Sequence, residues 1–210
     1  MTDPVTDFPT APRPDGPRAL LVVDMQHDFV DPAGSLSVAG GPETVAPIVE
    51  LIRRFRRDGH VVAFTQDWHP AVTPHFAEHG GLWPVHCVHD SAGAELHPDI
   101  AAEIRDGDPL IRKGDGPEDA YSGFSVLHLP SGRHAPTGLA EALAERGVHE
   151  VTVVGLAGDW CVKATALDAV AHGHPTTVPL ALTRFVELRP GDTERAVAEM
   201  RAAGVTVLDT

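Results

Sequence analysis

The 210 residues are 42% hydrophobic and 22% charged, with a formal net charge of −14 at pH 7, the makeup of a globular chain long enough to bury a core without staples. So acidic a chain repels phosphate, which argues against nucleic acid and anionic membrane surfaces as partners, and no apolar run approaches the length of a bilayer span. Residues 1–17, MTDPVTDFPTAPRPDGP, have no basic stretch leading into an apolar one; they read as a flexible Pro-rich leader to a single domain at 18–210, and with only two cysteines the chain is expected to be cytoplasmic with free thiols.

The predicted elements alternate. ALLVV at 19–23 is a continuous apolar run, as expected of a strand buried on both faces. In PETVAPIVELIRRFRRDG, Val45, Ile48, Val49, Ile52 and Phe55 recur at helical spacing, and Gly59 supplies the stop. HVVAFT at 60–65 is a second strand. From 66 to about 108 the chain is rich in His, Pro and Gly, with weak helical pattern only. PLIRK at 109–113 is a third strand. TGLAEALAERG is a helix with Thr137 as candidate N-cap and Gly147 as stop. EVTVVG at 150–155 is a fourth strand and CVKATALDAVAHG a helix. TTVPLAL is a fifth strand, weakened by Pro179, which lacks a ladder donor. GDTERAVAEMRAAG is a helix and VTVL at 205–208 a sixth strand. Strands separated by helices predict right-handed crossovers: an α/β, doubly wound, mainly parallel six-stranded sheet with helices on both faces.

In such sheets ligands bind outside the carboxyl ends of the strands. Asp24 follows the first strand, Asp67 and His69 the second, Lys113 the third, and GLAGDWC with Cys161 the fourth. Each has an ordinary structural use: Asp as a turn or helix cap, Lys as a solvated surface group, Cys as a small buried hydrophobe. Their joint occurrence at four strand ends favours a site. Cys161 would open a helix, where the dipole and a nearby lysine favour the thiolate. Asp24 could take the thiol proton and return it to a leaving group. The bend Gly155–Gly158 offers backbone N–H groups suited to an oxyanion hole. This is the outline of a cysteine acyl-transfer enzyme.

The stretch DWHPAVTPHFAEHGGLWPVHCVH adds Asp67, His69, His75, His79, His86 and His89. Asp and His suit Zn²⁺, Fe²⁺ or Mn²⁺, and D-x-H on extended backbone puts both side chains on one face. Most such histidines are loop surface, as expected for His79, His89, His97 and His134. Glu78 is a weak further candidate.

VVDMQHDF, DWHP with HF, WPVHCV, SAGAELHP, AYSGF and VVGLAGDWCVKATALDA together resemble the nicotinamidase/pyrazinamidase family of isochorismatase-like hydrolases, from about residue 18 to the C-terminus and in the same order. The resemblance implies a catalytic trio at Asp24, Lys113 and Cys161. It implies metal ligands at Asp67, His69 and His86, with His75 a ligand in some members only, and one divalent ion, zinc first. It implies aromatic walls at Phe29 and Trp83 with Tyr121 nearby, a cis peptide at Leu156–Ala157, and oxyanion donors at the amides of Ala157 and Cys161. The implied reaction is hydrolysis of nicotinamide, and of pyrazinamide, to the acid and ammonia. Alternatives are an amidase of the superfamily acting on an N-carbamoyl or ureido compound, and a metal-stabilised pyridine-binding protein without catalysis. Isochorismate cleavage does not use the cysteine. The expected partner is a small molecule, and a homo-oligomer is compatible. Two departures stand out: GDGPEDA between Lys113 and Tyr121 is unusually acidic, and Gly158 stands where Thr or Ser is common. Cys87 is expected to pack beneath the metal site.

Overall fold

The computed structural model of the protein describes residues 16–209. Most of the Pro-rich leader therefore lies outside the described residues; at its end the Pro17 carbonyl accepts from the His149 amide at 3.1 Å. In chain order the elements are β1 (Arg18–Val23), α1 (His27–Val30), α2 (Pro42–Arg57), β2 (Val61–Asp67), α3 (Pro98–Ala101), β3 (Leu110–Lys113), β4 (Glu118–Asp119), β5 (Ser125–His128), β6 (Arg133–Pro136), α4 (Leu139–Glu145), β7 (Glu150–Leu156), α5 (Cys161–Ala171), β8 (Thr176–Pro179), β9 (Thr183–Arg184), α6 (Asp192–Ala202) and β10 (Thr206–Leu208).

Six parallel strands run in the order β10-β8-β7-β1-β2-β3, and the two-residue β9 pairs with the end of β7 to make a seventh. The six expected strands are all present. The fifth is shorter than TTVPLAL suggested: it ends at Pro179, and Leu180–Leu182 turns into a 3₁₀ helix. A separate antiparallel sheet of β4, β5 and β6 was not expected. Its strands are short and half-buried to exposed, so they carry no apolar alternation to read. The 66–108 stretch contains the four-residue α3 and two 3₁₀ turns, in keeping with its weak pattern.

The two-residue period of the strands divides the interior. Leu20 and Val22 of β1, Val62 and Phe64 of β2, and Val154 and Leu156 of β7 face one cluster, with Ile48, Ile52 and Phe55 of α2. Ala19, Leu21, Val23, Ala63, Val151 and Val153 face the other, with Leu139 and Leu143 of α4, Val162 and Ala166 of α5, and Met200 of α6. Strands buried on both faces thus form the middle of three layers. The N-cap position of α4 is Gly138, in the left-handed region, one residue later than predicted; the Thr137 hydroxyl still accepts from the amide of Leu139, the first residue of α4, at 3.3 Å, and donates to the Gly123 carbonyl at 2.6 Å. Among the described residues no helix is long and apolar enough to cross a membrane.

From β1 the chain builds outward through β2 and β3, then returns to the other side of β1 with β7. Strand order therefore reverses between β1 and β7, whose ends open into the crevice where α/β sheets bind ligands. Gly155 permits this junction: its φ is +110°, and a Cβ there would stand 2.1 Å from the Val23 carbonyl oxygen.

Candidate active site

Four neighbouring strand ends deliver the polar residues. Asp24, immediately after β1, has φ +48°, a conformation Asp adopts more readily than most residues. Its amide donates to both the carbonyl and the hydroxyl of Thr65, and the Thr65 hydroxyl donates to Asp24 Oδ1 at 2.5 Å. Lys113, the last residue of β3, extends beneath Asp24: Nζ is 2.8 Å from Asp24 Oδ2, 2.7 Å from the Ala120 carbonyl and 3.7 Å from Cys161 Sγ. It also donates to Asp67 Oδ1. All four side chains are buried.

Their charges follow from that burial. Burial pushes Asp24 up to about 6, with the charge of Asp67 adding to it and the Lys113 ammonium opposing. For Asp67 burial also disfavours the charge, but the Lys113 ammonium outweighs it and holds the carboxyl well below its usual range. Burial alone would lower Lys113; the two carboxylates keep its ammonium well above the ordinary value. The Cys161 thiol goes opposite to the expectation from the helix start. Burial raises it well above the usual value, Lys113 opposes, and Asp24 and Asp67 add to the rise. At rest Cys161 is a thiol whose Sγ lies within 4.8 Å of a carboxylate oxygen of Asp24, a candidate base.

Asp67 faces two ways. Its Oδ2 lies 3.6 Å from His69 Nε2 and 3.7 Å from His86 Nε2. Candidate ligand atoms of His69, His75 and His86 all lie within 4.8 Å of one another. Each imidazole has its Nδ1 against an acceptor: the Gly114 carbonyl for His69 at 3.2 Å, the Asp119 carboxylate for His75 at 2.6 Å, and the Pro84 carbonyl for His86 at 2.7 Å. Such partners accept only, so Nδ1 carries the proton and Nε2 presents its lone pair. His69 Nε2 is buried without a hydrogen-bond partner among the described residues, and burial keeps that ring neutral. Three imidazoles and a carboxylate around an orphaned nitrogen fit a divalent metal ion.

Between this group and Cys161 lies a pocket lined by Phe29, Trp83, Tyr121, Ala157 and Trp160, and also by Leu36, Val38 and Val186. Trp83 Nε1 donates to the Tyr121 hydroxyl at 2.9 Å, and Trp160 meets the Trp83 ring edge-on at 4.8 Å between centroids. The Leu156–Ala157 peptide is cis. Asp159 accepts from the amides of Val186 and Glu187 at 3.0 and 2.8 Å, tying that wall to the Cys161 turn. Gly158 also belongs to the turn: a Cβ there would stand 2.6 Å from the Phe185 ring, which accounts for glycine at this position.

Sequence reasoning missed several residues. Trp160 was hidden by its more conspicuous neighbour Cys161. Gln26 reads from sequence as one more loop polar residue; it is buried, donating from Nε2 to the Asp67 carbonyl at 2.7 Å and accepting from the Asp67 amide at 2.8 Å. Of the histidines set aside, His79 and His134 are exposed, the latter within β6. His89 is half-buried, stacked on Trp68, and His97 accepts from the Asp99 amide at the start of α3. Cys87 is fully buried in the core cluster that also holds Phe29 and Trp68, with its thiol raised well above the usual value, first by burial.

The isochorismatase-domain family model matches residues 18–210. The chain is 38% identical to the nicotinamidase of Escherichia coli, over 91% of this chain and 94% of that one. It superposes on a pyrazinamidase of Pyrococcus horikoshii in complex with zinc with a TM-score of 0.79, 37% identity, and coverage of 92% and 99% of the two chains. The yeast nicotinamidase bound to the inhibitor nicotinaldehyde gives a TM-score of 0.84 at 31% identity, covering 92% and 100%. With this fold, the reversal of strand order at β1 and β7, and relatives matched over nearly their whole length, the chain belongs to the isochorismatase family and has nicotinamidases and pyrazinamidases as its relatives.

Proposed function

We propose that the protein is an amidase that hydrolyses nicotinamide to nicotinate and ammonia, and accepts pyrazinamide. One observation carries the reading. A buried thiol, ammonium and carboxylate meet at the floor of an aromatic-walled pocket, and an imidazole–carboxylate group suited to a cation forms its side. The relatives' inhibitor and substrate names point to the same flat heteroaromatic carboxamide.

Asp67, His69 and His86, with His75, would hold the metal, zinc by the likeness to the zinc-bound pyrazinamidase. When bound, the ion supplies a directed electrostatic anchor for a ring nitrogen. Phe29 and Trp83 sandwich the ring and Tyr121 fixes the Trp83 indole, so a small planar substrate is held before it reacts, an entropic contribution. Asp24 then takes the Cys161 Sγ proton. The thiolate forms a bond to the amide carbon, and the negative oxygen that results lies against the amides of Ala157 and Cys161. As the C–N bond breaks, Asp24 gives the proton to nitrogen and ammonia departs. Water, losing a proton to Asp24, adds to the thioester; the C–S bond breaks, and nicotinate and thiol are restored. Lys113 balances the charge of Asp24 and of the thiolate throughout. Both cysteines are free, as a cytoplasmic enzyme working through a thiol requires, and the reading takes residues 18–210 as one catalytic domain.

The deciding measurement is ammonia release from nicotinamide, before and after chelation. Release that chelation lowers and added zinc restores is the expected result. No release from nicotinamide by the zinc-loaded protein, with release from N-carbamoyl substrates, would move the protein to the other amidase branch of the superfamily.

A further inference from the structure

Three consecutive residues of the short antiparallel sheet and its exit address three parts of the site. The Asp119 carboxylate holds His75, the Ala120 carbonyl accepts from Lys113, and the Tyr121 hydroxyl accepts from Trp83. Asp119 belongs to the acidic stretch GDGPEDA between Lys113 and Tyr121.

The three imidazoles are held differently. His69 and His86 donate from Nδ1 to backbone carbonyls, whereas His75 donates to a side chain, Asp119 Oδ1, at 2.6 Å. The His75 side chain is 3% exposed and stacks on the His69 ring at 4.5 Å between centroids. Asp119 sits on β4, whose backbone is fixed by pairing Asp119 with Leu127. An anionic acceptor on Nδ1–H both fixes the tautomer and increases the electron density that Nε2 can donate, more than a neutral carbonyl does.

Resting on the metal reading above, we propose that Asp119 is a positioning residue that makes His75 a full ligand of the ion, alongside Asp67, His69 and His86. His75 is thereby recruited by a carboxylate delivered from outside the main sheet. The rival account is a plain ion pair that tethers β4 to the 73–76 loop and leaves metal binding alone.

The test measures the Zn²⁺ dissociation constant of the full-length apo-protein by competition with a chromophoric chelator, for the parent, Asp119→Asn, Asp119→Ala and His86→Ala. Visible spectra of the Co²⁺-loaded proteins and thermal melts of the apo-proteins accompany it. Asp119→Ala is expected to weaken zinc binding about 10- to 100-fold, with Asp119→Asn, which keeps an acceptor but loses the charge, in between. The Co²⁺ bands should change in Asp119→Ala as one nitrogen ligand is lost. Zinc affinity within threefold of the parent in both Asp119 variants overturns the proposal, and a lowered apo melting temperature with that unchanged affinity assigns Asp119 to the tether. If Asp119→Ala does not fold, Asp119→Asn decides by the same threefold limit. A parent that binds zinc no better than His86→Ala would instead overturn the metal reading itself.

Discussion

Lys113 Nζ lies 2.8 Å from Asp24 Oδ2, and neither side chain has any surface exposed to solvent. An ion pair so completely desolvated holds only while both partners are present. Replacing Lys113 by methionine keeps the length of the side chain and removes the charge, leaving Asp24 and Asp67 facing each other in a dry site. The expected cost is about 3–5 kcal/mol of stability at pH 7, the range for breaking a buried pair, measured by denaturant unfolding of the apo-protein. Without its cation Asp24 binds a proton more readily in the folded state, so the deficit shrinks as pH falls toward 5. A cost below about 1 kcal/mol at pH 7 would show that water reaches the cluster.

The two cysteines separate cleanly by environment. Cys161→Ala removes the proposed nucleophile and is expected to lower kcat by about 10⁴-fold or more, with nicotinamide binding largely kept because the pocket walls remain. Cys87→Ala removes a thiol packed in the core and should leave kcat within a few-fold of the parent, at a stability cost of about 1 kcal/mol. Ammonia-release kinetics and a binding isotherm on both variants check this. An inactive Cys87→Ala with an active Cys161→Ala reverses the assignment.

As the proposed base, Asp24 is expected to set the acid limb of the pH profile. Its carboxyl is raised to about 6, and only the ionised form can accept the Cys161 proton. Activity is therefore lost as pH falls through about 6, with kcat/KM dropping about tenfold for each further unit. The apparent value belongs to Asp24 together with Lys113 and Asp67, which share its charge. A profile between pH 4.5 and 8 on the metal-loaded enzyme reads the limb. A midpoint near 4, or an unchanged limb in an active Asp24→Asn variant, removes Asp24 from the role of base.

Ring recognition has a distinct signature. Phe29 and Trp83 can stack on benzamide as well as on nicotinamide, so apolar area does not distinguish the two. A site built for a polar atom rejects an analogue lacking it by up to about 10⁴-fold; here the ratio of kcat/KM should fall short of that, because a shifted ring can leave a water in place. A ratio near one, with metal content verified, would assign the ion a structural task in an amidase of broader range.

The strands and their ends were legible because a parallel sheet buried on both faces demands long apolar runs, and a polar residue directly after such a run stands out. Asp24, Asp67, Lys113 and Cys161 all announce themselves this way. The charge state of Cys161 was not legible. A helix start and a nearby lysine are local features, whereas the burial and the two opposing carboxylates come from strands far apart in sequence. The β4–β6 sheet escaped for the converse reason. Its strands are too short and too exposed to impose a pattern, and so the contact of Asp119 with His75, 44 residues apart, left no trace in either segment.

The pocket is built from two kinds of material. Its chemistry hangs on strand ends locked by the register of β1, β2, β3 and β7. Three other lining residues, Leu36, Val38 and Val186, stand on loops outside the sheet. Width and reactivity are thus encoded by separate stretches of chain, and Asp159 is the hinge pin between them, since both its oxygens clasp the 186–187 backbone. Selection or engineering for a bulkier aromatic amide can trim Leu36 or Val186 while Asp24, Lys113 and Cys161 keep their places, so the scaffold is free to change what it admits without relearning how to cut.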